Sequence, residues 1–97
     1  MLAEPKFLKV IFDLSCIWEG FPPDYRLYVN DELFTERTYD FSSDMYVREM
    51  IQIQAQPGTY KIRLEKLGPQ SSNFKIANTH IKLGPGEVLD ETTFKIL

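Results

Sequence analysis

The sequence predicts an all-β fold: a single antiparallel β-sandwich, jelly-roll or immunoglobulin-like, of about seven to eight short strands. Three observations carry this. Apolar residues recur at every second position rather than at helical spacing. Turn signals rich in Gly, Pro, Asn and Asp interrupt that alternation every ten or so residues. No window joins a helical apolar stripe to a start and a stop signal. The stretch 43–54 begins with a cap-type serine, but its Ile51-Gln52-Ile53-Gln54 alternation and the following Pro57 favour a strand.

The first strand is read from Leu8, Val10, Phe12, Leu14, Cys16 and Trp18, one wholly apolar face. Gly20, Pro22 and Pro23 end it, because proline cannot donate to a ladder. Tyr25 to Val29 is the second strand and Leu33 to Tyr39 the third. The turn at Asn30-Asp31-Glu32 joins them, since Asn and Asp tolerate left-handed backbone. A three-residue loop would place Tyr28 opposite Phe34 and Arg26 opposite Glu36; a two-residue loop would shift that pairing. After a break at 41–44, Tyr46 to Gln56 forms a long strand with Ile51, Ile53 and Ala55 inward. Glu49 falls on the same inward face, so either a bulge shifts the register near Met50 or Glu49 lies at a solvated end. Pro57-Gly58 turns the chain into the cleanest half-buried strand, with Tyr60, Ile62 and Leu64 alternating against Lys61, Arg63 and Glu65. A loop over 68–73 follows. Phe74 and Ile76 then alternate on even numbers and Ile81 and Leu83 on odd ones, which places a bulge near Asn78. Gly84-Pro85-Gly86 is a turn, and Thr92 to Leu97 is the terminal strand.

The chain has 97 residues, of which 43% are hydrophobic and 13% aromatic. It is expected to form one domain over residues 1–97, with Met1 to Pro5 loose, and to bury a core rather than remain disordered. Lys and Arg number 11 against 14 Asp and Glu, a formal charge of -3. That balance excludes a strongly basic nucleic-acid binder, and Lys61, Arg63, Lys66, Lys75 and Lys82 are scattered among acids. The single cysteine, Cys16, excludes an intrachain disulfide framework and suits a reducing compartment. The opening residues do not resemble a signal peptide, and no apolar run approaches the roughly 20 residues that span a bilayer. A soluble protein with no membrane partner is expected.

Catalytic chemistry lacks its parts. His80 is the only histidine, at a strand kink, and Cys16 lies in the most apolar register of the first strand as an inert thiol. One His and one Cys do not make a zinc site, and no phosphate-binding glycine loop is present. No enzyme is expected. The one metal-like pattern is Asp40-Phe41-Ser42-Ser43-Asp44, with oxygen-bearing side chains at alternate positions like the opening of a calcium loop. Met45 replaces the required glycine and Ile51 the closing Glu, so calcium at Asp40 and Asp44 would need a distant carboxylate. Otherwise no cofactor is expected.

Aromatic residues supply the stronger candidate. Trp18, Phe21 and Tyr25 concentrate rings and prolines at one strand end, and Tyr28, Tyr39 and Tyr46 add rings with polar tips. Exposed rings bury much area at little entropic cost, so they suit a protein partner, self-association or a sugar. The competing reading is that Trp18 and Phe21 cap the end of the sandwich. Gln52, Gln54 and Gln56 mark a solvated sheet face, which could be an edge or an oligomer contact.

The run from Trp18 to Pro23, then Tyr25 to Arg37, resembles small uncharacterised proteins of T4-like marine cyanophages. The pieces Pro57-Gly58-Thr59-Tyr60-Lys61-Ile62 and Leu83-Gly84-Pro85 fit the same likeness. That family carries no activity to transfer. The resemblance implies a phage accessory or virion-associated protein, found in the cytoplasm of the infected host cell or in the virion, that works by binding other proteins. A strand ending in Val29-Asn30-Asp31, a returning strand and a later Gly58-Thr59-Tyr60-Lys61-Ile62 strand are similar in order to small calcium-dependent xylan-binding modules. This second resemblance implies a jelly-roll that binds carbohydrate through calcium, but the acidic ligand motif of those modules is not matched. The expected function is a non-catalytic protein-interaction or structural module, with a carbohydrate-binding module as the alternative.

Overall fold

The computed structural model describes residues 5–42, 44–67 and 72–97. Among them are eight strands and no helix: β1 (Lys6–Ile17), β2 (Asp24–Val29), β3 (Glu32–Thr38), β4 (Tyr46–Ala55), β5 (Gly58–Leu67), β6 (Asn73–Leu83), β7 (Gly86–Asp90) and β8 (Thr93–Ile96). They form two antiparallel sheets packed as a β-sandwich, in the orders β4-β1-β6 and β3-β2-β5-β8-β7. With no helix present, none is long and apolar enough to cross a membrane. The expected looseness of Met1 to Pro5 falls almost wholly outside the described residues, as does most of the loop expected at 68–73.

β1 is the central strand of the smaller sheet because its even-numbered face is apolar throughout. Leu8, Val10, Phe12, Leu14 and Cys16 are buried. They meet Tyr25, Leu27 and Val29 of β2, Ile51 of β4, Ile62 of β5 and Phe94 and Ile96 of β8 in one core. Tyr39, just beyond β3, completes it. On the outer face, Ile11 is buried as well, flanked in register by Met50 and His80.

Local backbone explains where the alternation breaks. The β2–β3 turn has two residues, Asn30 and Asp31, both left-handed with φ of 49° and 67°, as a tight hairpin turn of matching twist requires. Tyr28 therefore faces Leu33, not Phe34. A register shift then makes Phe34 an extra residue, and this restores the expected pair of Arg26 with Glu36. The Asn30 carboxamide stitches the turn to β5: its Oδ1 accepts from the Lys61 amide at 2.7 Å and its Nδ2 donates to Thr59 O at 3.3 Å. In β6 the change of parity occurs at Asn78, which is left-handed with φ 56°. The ladder to β1 shifts there and again at Lys82.

β7 was not foreseen as a strand. Its alternation is one residue short of convincing because the ladder to β8 shifts between Val88 and Asp90. Gly84 closes the approach to it. A methyl group there would lie 2.2 Å from Phe7 O, and φ is 101°; only glycine fits both demands.

β4 corrects the expectation for Glu49. No bulge occurs: ten consecutive pairs run from Lys6–Ala55 to Ser15–Tyr46 without a shift. Nor does the side chain reach solvent. Glu49 is 3% exposed and faces the core. It is held there because Tyr25 Oη donates to its Oε1 at 3.0 Å and Arg37 Nε stands 3.7 Å from its Oε2. A buried carboxylate is tolerable only with such partners.

Candidate functional site

Two loops meet at the end of the sandwich where β1 stops. The segment 18–23 follows β1, and the segment 39–45 leads from β3 into β4. Backbone and side-chain bonds tie them: the Tyr39 amide donates to Pro23 O at 2.8 Å, and Trp18 Nε1 donates to Phe41 O at 2.8 Å. Tyr39 packs edge-on against Phe41 and Phe74, with centroids 5.6 and 5.9 Å apart. Rings prefer such edge-to-face contacts.

This framework leaves large apolar groups on the outside. Phe21 is 80% exposed, Ile17 64% and Tyr46 60%, and Phe41 and Met45 are exposed as well. Trp18 is half-buried against the core, with its indole N–H satisfied. The candidate rings therefore divide. Phe21 and Tyr46 are accessible, and Trp18 is partly so.

Tyr25 and Tyr39 are corrections. They are 2% and 1% exposed, so neither can touch a partner. Their hydroxyls are engaged inside, Tyr25 with Glu49 and Tyr39 with Met45 O at 3.0 Å. Burial pushes both phenols above the usual tyrosine range, and the Glu49 charge adds to the effect on Tyr25. Tyr28 lies elsewhere, on the outer face of the larger sheet. The Arg63 guanidinium sits 4.1 Å from its ring centroid, and its hydroxyl donates to Glu65 at 3.2 Å. That ring already has a cation on one face.

The calcium expectation loses its ligand set. Among the described residues no three His, Cys, Asp or Glu side chains converge as a metal site. Asp44 Oδ1 accepts the Ser42 hydroxyl, the local bond usual for Asp and Ser at a turn. Among the described residues no further acid joins Asp40 and Asp44. His80 is exposed and its Nδ1 contacts Asn78 O at 2.8 Å. Cys16 is buried, and that burial raises its thiol above the ordinary range. The two are not brought together as a nucleophile and base.

Beside the apolar end, the outer face of the smaller sheet carries a shallow cleft of about 310 Å³. Asp13, Ser15, Tyr46, Lys75 and Asn78 line it. Asn78 Nδ2 donates to Asp13 at 2.9 Å, and Arg48 stands 3.6 Å from the same carboxylate. A second cleft, of about 410 Å³, opens on the flank of the sandwich between β3 and the end of β4. Its apolar wall comes from Val29, Leu33, Phe34, Ile53, Ala55 and Tyr60. Sequence reasoning missed this cleft. The alternation of Gln52 and Gln54 signalled a solvated face and offered an edge, which β4 is, but not the cleft beside it.

Compared with protein-family models, curated proteins and solved structures, the chain matches none.

Proposed function

We propose that this chain is a non-catalytic protein-interaction or structural module, a phage accessory or virion-associated component, whose partner docks on the end of the sandwich around Phe21. The observation that supports this is the exposed cluster of Ile17, Phe21, Phe41, Met45 and Tyr46 at the end where the segments 18–23 and 39–45 meet. The core is closed without these side chains. Contiguous exposed apolar groups mark interaction surfaces, and aromatic anchors dominate binding energy. A photo-crosslinking amino acid at position 21 should give a discrete protein adduct in an infected-cell lysate or with purified particles. The same probe at Glu87 should give none. Equal, diffuse labelling from both positions removes the reading.

A second reading, carbohydrate binding, draws on the outer cleft, where the exposed Tyr46 ring stands beside Asp13, Ser15, Lys75 and Asn78. A ring platform flanked by hydrogen-bonding groups suits a sugar. Calorimetry against a glycan panel should then show heat that Tyr46→Ala abolishes. Absence of heat from every glycan discards it.

A further inference from the structure

The apolar end of the sandwich has a charge pattern of its own. Apart from Ile17, its exposed apolar side chains come from the segments 18–24 and 39–46. These segments hold four carboxylates, Glu19, Asp24, Asp40 and Asp44, and no Lys, Arg or His. All four are exposed. None stands in a salt bridge with another described residue. Asp24 and Asp44 accept hydroxyls instead, from Thr38 and Ser42.

The basic side chains that reach this end lie on strands and are engaged elsewhere. Arg37 stands at the buried Glu49, Arg48 faces Asp13, and Lys66 donates to Ser72 O at 2.8 Å. Lys75, opposite Ser15 in register, shares the outer cleft with Asp44. The negative charge not met from within the chain therefore falls on Glu19, Asp24 and Asp40, beside the exposed Phe21 and Phe41.

An apolar patch with an acidic flank discriminates between occupants. Two copies meeting through this end across a two-fold axis would bring the same carboxylates together, which like charge opposes. An anionic lipid surface meets the same repulsion. A segment that carries Lys or Arg beside large apolar side chains satisfies both parts. Its apolar side chains cover Ile17, Phe21 and Phe41, and its cations come to the carboxylates at the rim. There they stay solvated and act on encounter and on partner choice. Building on the proposed role as an interaction module docked around Phe21, we infer that the partner presents a basic amphipathic segment to this end.

Fluorescence anisotropy on the full chain tests this with two labelled amphipathic peptides of one pattern, Leu with Lys and Leu with Glu. The Leu/Lys peptide should bind and the Leu/Glu peptide should not. Phe21→Ser should weaken the Leu/Lys peptide roughly tenfold, as loss of an aromatic anchor does. Reversing two rim charges, Glu19→Lys with Asp40→Lys, should also weaken it roughly tenfold and give the Leu/Glu peptide measurable affinity. Glu32→Lys with Glu87→Lys, at the other end of the sandwich, changes the net charge equally and should alter neither peptide by more than about twofold. All five side chains are exposed, so folding is not at stake. Binding of both peptides alike, or of neither, overturns the inference. So does a Leu/Lys affinity that Phe21→Ser leaves unchanged, or that the remote reversals lower as much as the rim reversals. In each of those cases a discrete protein adduct from position 21 still supports the module role, and diffuse labelling there removes that role separately.

Discussion

Glu49 shows how much one residue depends on its neighbours. Its carboxylate is buried because the Tyr25 hydroxyl and the Arg37 guanidinium meet it at 3.0 and 3.7 Å. Glu49→Ala would leave the buried Tyr25 hydroxyl without its acceptor and should cost about 1–3 kcal/mol in urea unfolding. Glu49→Gln keeps an acceptor at the same place and should cost less. The Arg37 pair adds little, since Arg37 is exposed. Equal losses for the two variants would show that Tyr25 is not the partner that matters. None of this was legible in the sequence. An inward Glu in an apolar alternation reads as a bulge or a frayed end, because its partners lie 24 and 12 positions away along the chain. The same separation hid the fate of Tyr25, and Tyr39, whose acceptor Met45 O lies 6 positions on across a break in the alternation, looks equally like a surface aromatic until that partner is placed. Phe21, in a proline-flanked turn without a register, stood open in the sequence between a binding ring and a cap on the sandwich end, and the structure leaves it exposed.

Elements were legible where the chemistry is local. Period-two alternation placed β1, β4 and the cleanest strand, β5. Residue pairs that only left-handed backbone can serve placed the turns. The hairpin at Asn30-Asp31 illustrates both what could be read and what could not. Its turn residues were evident, but the compensating bulge at Phe34 was not, since a bulge is settled by which face must be buried. Asn30→Ala puts a residue that tolerates left-handed backbone less well than Asn at that position and removes both side-chain bonds to β5, and should lower stability by about 1–2 kcal/mol or more in thermal unfolding. Asp31→Gly relieves the same strain at the next position and loses only an exposed pair to Arg63, so its melting temperature should hold or rise. Losses of the same size would mean that the Asn30 bonds carry nothing. In β5 the alternation itself is open to test. Ile62 is buried and Lys61 exposed. Ile62→Asp should abolish folding by placing an unpaired charge in the core, whereas Lys61→Gln should stay within about 0.5 kcal/mol. Circular dichroism of the two variants decides, and matched behaviour would refute the register.

At the scale of the whole molecule, the two sheets close over a core that holds three ionisable groups in their neutral forms. Cys16, Tyr25 and Tyr39 are all buried, and desolvation is the leading reason that each holds its proton above its ordinary range. The consequence for stability has a definite sign. Above the ordinary values, about 8.5 for a thiol and 10 for a phenol, the unfolded chain sheds protons that the folded chain keeps. The unfolded state then binds fewer protons, so stability falls as pH rises. Their contribution is complete below those values and is lost on the alkaline side. The melting temperature should therefore change little between about pH 7 and 8 and drop steeply toward about pH 11. Tyr25→Phe starts from a lower melting temperature, because Glu49 loses a donor, but its alkaline drop should be shallower than that of the native chain. An equal drop in both would assign the alkaline loss to groups outside the core and would contradict the burial of Tyr25. The three groups come from β1, β2 and the segment after β3, and Tyr25 and Tyr39 both pack on Phe74, the residue paired with Cys16 across β1 and β6, so the alkaline limb reports closure of the sandwich at the end where β1 stops.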